Sequence, residues 1–68
     1  MDLTQVKCFL ILSETLSFSK TADKLFISQS TVSKKIKQLE EELQVTLFDR
    51  EHWQIKLTPT GRYFYEGC

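Results

Sequence analysis

The sequence predicts a mainly α domain with a small β-hairpin: a helix, a shorter helix, a long helix, two short strands and a final helix. Three observations predict it. Val32, Ile36, Leu39 and Leu43 recur at helical spacing; at about 100° per residue they fill a stripe about 60° wide. Past that stripe the period shortens, and Ile55 and Leu57 alternate with polar neighbours as they would on a strand. Thr58-Pro59 then marks a new helix, with Thr as the cap and Pro at the first helical position.

The elements follow in order. Asp2 suits the cap of the first helix, and Gln5, three positions on, suits the return half of a capping box. Leu3, Val6, Phe9 and Leu10 repeat at helical spacing, so this helix is expected from about Leu3 to Glu14. Ser17 caps a shorter helix ending at Leu25, with Ala22 and Leu25 turned inward. Leu25-Phe26-Ile27-Ser28 is a tight connection, and Ser28 caps the long helix from Gln29 to Leu43. That helix spans about 22 Å at about 1.5 Å per residue. The hairpin is expected from strands at 46–50 and 54–57, with Glu51, His52 and Trp53 near its tip. A short helix joined tightly to a longer one is the helix-turn-helix unit, and a hairpin after it forms a wing. The expected division is a winged helix-turn-helix over 1–57 and the start of a further helix over 58–68.

Length and composition narrow the function. The chain has 68 residues, 41% of them hydrophobic and 26% charged, with two Gly and one Pro. That fits one small globular domain and excludes disordered and collagen-like classes. A domain of this size buries only about 60% of its unfolded surface, so its stability margin is thin. Cys8 and Cys68 are read as one buried thiol and one loose terminal thiol, in keeping with a reducing compartment. The N-terminus opens on an acid, and the apolar run from Phe9 to Leu12 is too short for a signal segment or a membrane span. A cytoplasmic, nucleoid-associated protein is expected.

The formal net charge is zero, but its distribution is not even. Lys20, Lys24, Lys34, Lys35 and Lys37 face only Asp23 across that stretch, and Glu40, Glu41 and Glu42 follow at once. A basic block beside an acidic one keeps nucleic acid in view as a partner.

The long helix carries the chemistry. Opposite its apolar stripe lie Ser30, Lys34 and Lys37, with Ser33 beside them, and Gln29, Ser30 and Thr31 fill its first turn. In a helix-turn-helix the first turns of the second helix meet base edges in the major groove. Gln pairs bidentately with adenine, Ser and Thr serve several bases, and Lys reaches a guanine or a phosphate. A merely solvated face is the competing reading. Ser and Thr are mediocre helix formers, so stability alone does not select Ser30, Thr31 and Ser33. A helix dipole favours acids early and bases late; here the lysines precede the glutamates, an order that suits a helix whose early half enters an anionic groove. Lys20, Lys35, Lys37, Arg50, His52 and Lys56 are the candidates for backbone and wing contacts. Such contacts supply affinity and position without reading sequence.

On these residues the chain resembles the DNA-binding domain of LysR-type transcriptional regulators. The matching positions are Leu3, Phe9, Ser17-Phe18, Ala22, Leu25, Ser28 to Ser33, Ile36, Leu39-Glu40, Leu43, Leu47-Phe48, Arg50, Leu57-Thr58 and Gly61. The resemblance implies a recognition helix starting at Gln29, with Gln29, Ser30, Thr31, Ser33 and Lys34 approaching bases. It implies a wing from Arg50 to Lys56 on the backbone or minor groove, and a linker helix starting at Thr58 through which subunits self-associate on an interrupted, dyad-symmetric double-stranded DNA operator. A small-molecule effector would bind a further domain that this stretch lacks, and the linker helix is cut short. No cofactor or metal is implied.

Two positions depart from the family pattern. Gln44 stands where Gly is usual, and a left-handed Gln44 would cost about 1–2 kcal/mol. The wing tip reads His52-Trp53-Gln54 where Gly and Arg are usual, which sets an Arg-type minor-groove contact in question and leaves Trp53 to pack on the domain or stack on a sugar.

Other classes fit less well. An enzyme would need a nucleophile with a base, or a ligand set; the single histidine, His52, is not spaced with the cysteines for either. A winged helix that binds protein would carry an apolar patch where Gln29 to Lys34 stand. A third reading is a fragment that folds but binds poorly without its full linker helix.

Overall fold

In the computed structural model, which describes residues 2–51 and 54–67, the expected order holds: α1 (Leu3–Thr15), α2 (Phe18–Leu25), α3 (Gln29–Leu43), β1 (Phe48–Glu51), β2 (Gln54–Leu57) and α4 (Pro59–Gly67). The helix starts are set by the residues expected to set them. Asp2 and Gln5 form a full capping box, with the Gln5 N–H donating to Asp2 Oδ1 at 2.8 Å and the Asp2 N–H to Gln5 Oε1 at 3.0 Å. Ser17 Oγ accepts the Lys20 N–H at 3.2 Å, and Ser28 Oγ accepts the Thr31 N–H at 3.1 Å. Thr58 Oγ1 accepts the Gly61 N–H at 2.9 Å, so Thr58 caps α4.

The helix ends were harder to foresee. Leu16, Phe26 and Gln44 all close helices in the left-handed region, with φ of 53°, 57° and 55°. A non-glycine residue there costs about 1–2 kcal/mol. At Gln44 the backbone makes the carbonyl-satisfying turn that Gly usually makes, and the Val45 N–H also closes on Glu40 O at 3.2 Å. The strain expected at Gln44 is therefore present. Phe26, in the turn between α2 and α3, is 94% exposed as well as left-handed.

The core gathers Cys8, Phe9 and Leu12 from α1, Ala22 from α2, Val32, Ile36 and Leu39 from α3, and Leu47 and Phe48 at the entry to the wing. Phe9 and Phe48 meet edge to face, 5.8 Å between ring centroids. One face differs from the sequence expectation. The apolar repeat of α1 began at Leu3, yet Leu3 is 68% exposed and the buried face runs through Gln5, Cys8, Phe9 and Leu12. Gln5 can turn inward because its amide is satisfied: Oε1 serves the cap, and Nε2 reaches Gln38 Oε1 at 3.4 Å. The buried Thr21 is satisfied in the same way, donating to Ser17 O at 2.8 Å.

The hairpin is antiparallel, with Phe48 opposite Leu57, Asp49 opposite Lys56, and Arg50 opposite Ile55. Its first strand begins at Phe48, two residues later than expected. The chain at 46–47 spends its backbone groups elsewhere: the Leu47 N–H donates to Glu40 Oε2 at 2.7 Å, and Thr46 O accepts from Thr58 Oγ1 at 2.6 Å. Among the described residues no helix is long and apolar enough to cross a membrane.

Candidate nucleic-acid interface

The core side of α3 leaves its other side to solvent. Gln29, Ser30, Lys34 and Lys37 are exposed, and Thr31 and Ser33 are half-buried. The first turn is pre-arranged by its own cap. Ser28 Oγ lies 3.1 Å from Ser30 Oγ and 2.8 Å from Thr31 Oγ1, so three hydroxyls share one hydrogen-bonded cluster at the helix start. Ser30 and Thr31 are thus held in place, while Gln29 and Lys34 extend without a hydrogen bond or ion pair among the described residues. Backbone N–H groups at this end carry the positive end of the helix dipole, which adds to the attraction for an anion.

The other expected basic residues do not all join this face. Lys20 is exposed in the first turn of α2. Lys35 is drawn to the far edge of α3, where its Nζ lies 3.5 Å from Asp2 Oδ2. That lysine and, more strongly, the Gln5 backbone N–H hold the Asp2 carboxyl below the usual carboxylate range. Lys56 stands across the hairpin from Asp49, whereas Arg50 stands across from Ile55. Side chains alternate along a strand, so Arg50 and Lys56 leave opposite faces of the wing. His52 and Trp53 lie outside the described residues.

Arg50 turns toward the helices. Its guanidinium carbon sits 4.7 Å from the centroid of the Phe18 ring, and Nη2 donates to Ser33 Oγ at 3.5 Å. A groove lined by Leu16, Ser17, Phe18, Arg50, Gln54 and Ile55 opens beside it. Wing, α2 and recognition face are joined at this one side chain.

Glu40 has a role the sequence reading missed. By sequence it belongs to the acidic run Glu40, Glu41 and Glu42 that follows the lysines. Instead its Oε2 accepts two backbone N–H groups, from Leu47 at 2.7 Å and Phe48 at 3.2 Å, and so ties the wing entry to α3. The partners lie seven and eight residues away, beyond any local periodicity; the signal available was the match at Leu39-Glu40. Cys8 is fully buried, and burial pushes its thiol up from the usual range, away from the reactive thiolate.

The elements and their packing define a helix-turn-helix with a wing and a solvent-facing second helix. The family described as "Bacterial regulatory helix-turn-helix protein, lysR family" matches residues 3–62. BenM of Acinetobacter baylyi, an HTH-type transcriptional regulator, is 42% identical over 66 residues, covering 97% of this chain and 22% of BenM. The transcriptional activator IlvY of Haemophilus influenzae is 44% identical over 66 residues, 97% of this chain and 23% of IlvY. Among solved structures, the BenM DNA-binding domain in complex with its benA site 1 DNA matches with a TM-score of 0.91 at 42% identity, over 98% of this chain and 75% of that one. Full-length CbnR in complex with its target DNA matches with a TM-score of 0.90 at 33% identity, over 98% of this chain and 23% of CbnR. The chain belongs to the LysR family of bacterial regulatory helix-turn-helix proteins. It spans less than half the length of the relatives it matches, 22% of BenM and 23% of IlvY.

Proposed function

We propose that this domain binds double-stranded DNA sequence-specifically, as the reading head of a LysR-type transcriptional regulator. The observation that carries the reading is the α3 face: Gln29, Ser30 and Lys34 are exposed at a capped helix start whose opposite side is the core. In this reading α3 enters the major groove. Gln29, Ser30, Thr31 and Lys34 meet base edges, and Ser33 sits between that face and Arg50. Lys20, Lys37 and Arg50 take phosphates or the minor-groove edge, Lys56 with His52 extends the wing contact, and Lys35 contributes only field, since Asp2 holds it. The DNA complexes of BenM and CbnR, at 42% and 33% identity, support it.

Residues 1–57 act as the reading unit and 58–68 begin a linker helix through which longer chains self-associate on a dyad-symmetric operator. Effector sensing belongs to a further domain in the whole regulator, which works in the cytosol. The relatives are transcriptional regulators, and an enzymatic role has no support in this site.

The test is fluorescence anisotropy with labelled duplex DNA at several salt concentrations. Wild-type affinity should fall steeply with salt, by close to one power per phosphate neutralised. Lys34→Ala should weaken binding by roughly 1–3 kcal/mol, about five- to 150-fold, if Lys34 reads a base. Its Tm should stay within about 4 °C of wild type, as for an ordinary surface change. A Tm that collapses in Lys34→Ala would make this face structural and remove the reading.

A further inference from the structure

We propose that Phe18 is a positioning residue for DNA binding, acting through Arg50: its ring is the platform that presets the guanidinium between the wing and the recognition helix. The inference rests on the DNA-binding reading above and names a residue that reading does not use.

Phe18 is the first residue of α2, directly after the Ser17 cap, so its backbone is fixed by the helix start. It is half-buried and packs against the core. Its ring also carries a cation, with the Arg50 guanidinium carbon 4.7 Å from the ring centroid. A ring needed only to fill space would be covered as well by an aliphatic neighbour, and Leu16 and Ile55 line the same groove. The ring contact holds the guanidinium against a fixed surface, and Nη2 donates to Ser33 Oγ at 3.5 Å, a second point that narrows its rotation. An arginine on a two-stranded hairpin otherwise samples many rotamers, each of which must be given up when it engages DNA. With the guanidinium held at both the ring and Ser33, its remaining N–H groups are left to engage a backbone flanking the groove. The ring face also keeps the cation weakly hydrated, and this strengthens its hydrogen bonds to a phosphate or groove edge.

The experiment is a double-mutant cycle read by anisotropy on a mixed-sequence duplex at low salt. It uses wild type, Phe18→Leu, Arg50→Ala and the double variant, each with its Tm. Leu keeps the apolar contact with the core and removes the ring face. Phe18→Leu should weaken binding about two- to fivefold, as expected for an exposed cation–π contact. It should add no further loss in the Arg50→Ala background, and Phe18→Tyr should restore the affinity. In the free protein, the Arg50 side-chain protons should carry ring-current shifts that vanish in Phe18→Leu. Should Leu leave the domain partly unfolded, Phe18→Met replaces it in the same cycle. An equal loss in both backgrounds overturns the proposal, because Phe18 then acts through the fold or through a contact of its own. An Arg50→Ala variant that binds like wild type overturns Arg50 as a DNA contact and the proposal with it. A folded wild type that binds no duplex overturns the DNA reading itself.

Discussion

Gly61→Ala should lower the Tm of the domain by roughly 10–25 °C, although alanine is the better helix former by about 1 kcal/mol. A Cβ at Gly61 would collide with Leu47 O and stand 2.8 Å from Leu57 Cδ1. The leucine tip can yield, but the carbonyl cannot. Leu47 O accepts the Thr58 N–H at 2.9 Å, and the Phe48 N–H of the same peptide is held by Glu40 at 3.2 Å. Moving that peptide would break the two bonds that dock the wing entry to α3 and α4. Overpacking costs about 1–3 kcal/mol where neighbours can shift, and more where they cannot. A cost at the upper end of that range, about 2.5–3 kcal/mol, gives the stated fall at about 4–8 °C per kcal/mol for a domain of this size. Gly67→Ala is the control, because a Cβ there meets nothing within 4 Å. Its Tm should hold or rise, and circular-dichroism melts of the two variants side by side read the difference.

Glu40→Ala should cost about 2–4 kcal/mol, since two amide N–H groups lose one acceptor and a buried orphan N–H costs about 1–3 kcal/mol. The Leu47 side of this tie is fully buried, so water has little access to replace the carboxylate there. The damage should be local before it is global. Amide hydrogen exchange at Leu47 and Phe48 should speed up more than exchange at Val32 or Leu39. Glu40→Gln keeps an acceptor oxygen without the charge and should recover about half of the loss, because charged acceptors bond roughly twice as strongly. If Glu40 were only one member of the acidic run that ends α3, Glu40→Ala would melt like wild type.

These two sites show where sequence reading reaches and where it stops. The starts of all four helices were readable because a cap is a local device: Asp2, Ser17, Ser28 and Thr58 each bond an N–H three residues on. The extent of α3 was readable from its stripe, since Val32, Ile36 and Leu39 share one angular sector and one buried face. The ends of α1 and α2 carried no such mark. Leu16 and Phe26 take left-handed backbone without glycine, so packing of the helices has overridden local preference there. Gln44 was readable only through the resemblance to a family with Gly in its place. The inward turn of Gln5 hid behind its polarity, because an amide is a core residue only once Asp2 and Gln38 satisfy it.

The candidate site divides the same way. Its exposed residues on α3 follow from the helix period alone. The inward turn of Arg50, the capture of Lys35 by Asp2 and the tie from Glu40 to Leu47 are contacts between elements, and no spacing rule reports them. They change the reading of the basic block. Lys34 and Lys37 remain outward on α3, whereas Lys35 belongs to the joint between α1 and α3.

Whether the outward face of α3 enters DNA is read by titrating a duplex into isotope-labelled domain and following backbone amide shifts. The largest shifts are expected at Gln29 to Lys34, with a second group at Arg50 and Lys20. Gln5, Gln38 and Glu42, on the far edge of α3 and on α1, should stay nearly still. Shifts centred on that far edge, with Gln29 to Lys34 unmoved at saturation, would contradict entry by the outward face.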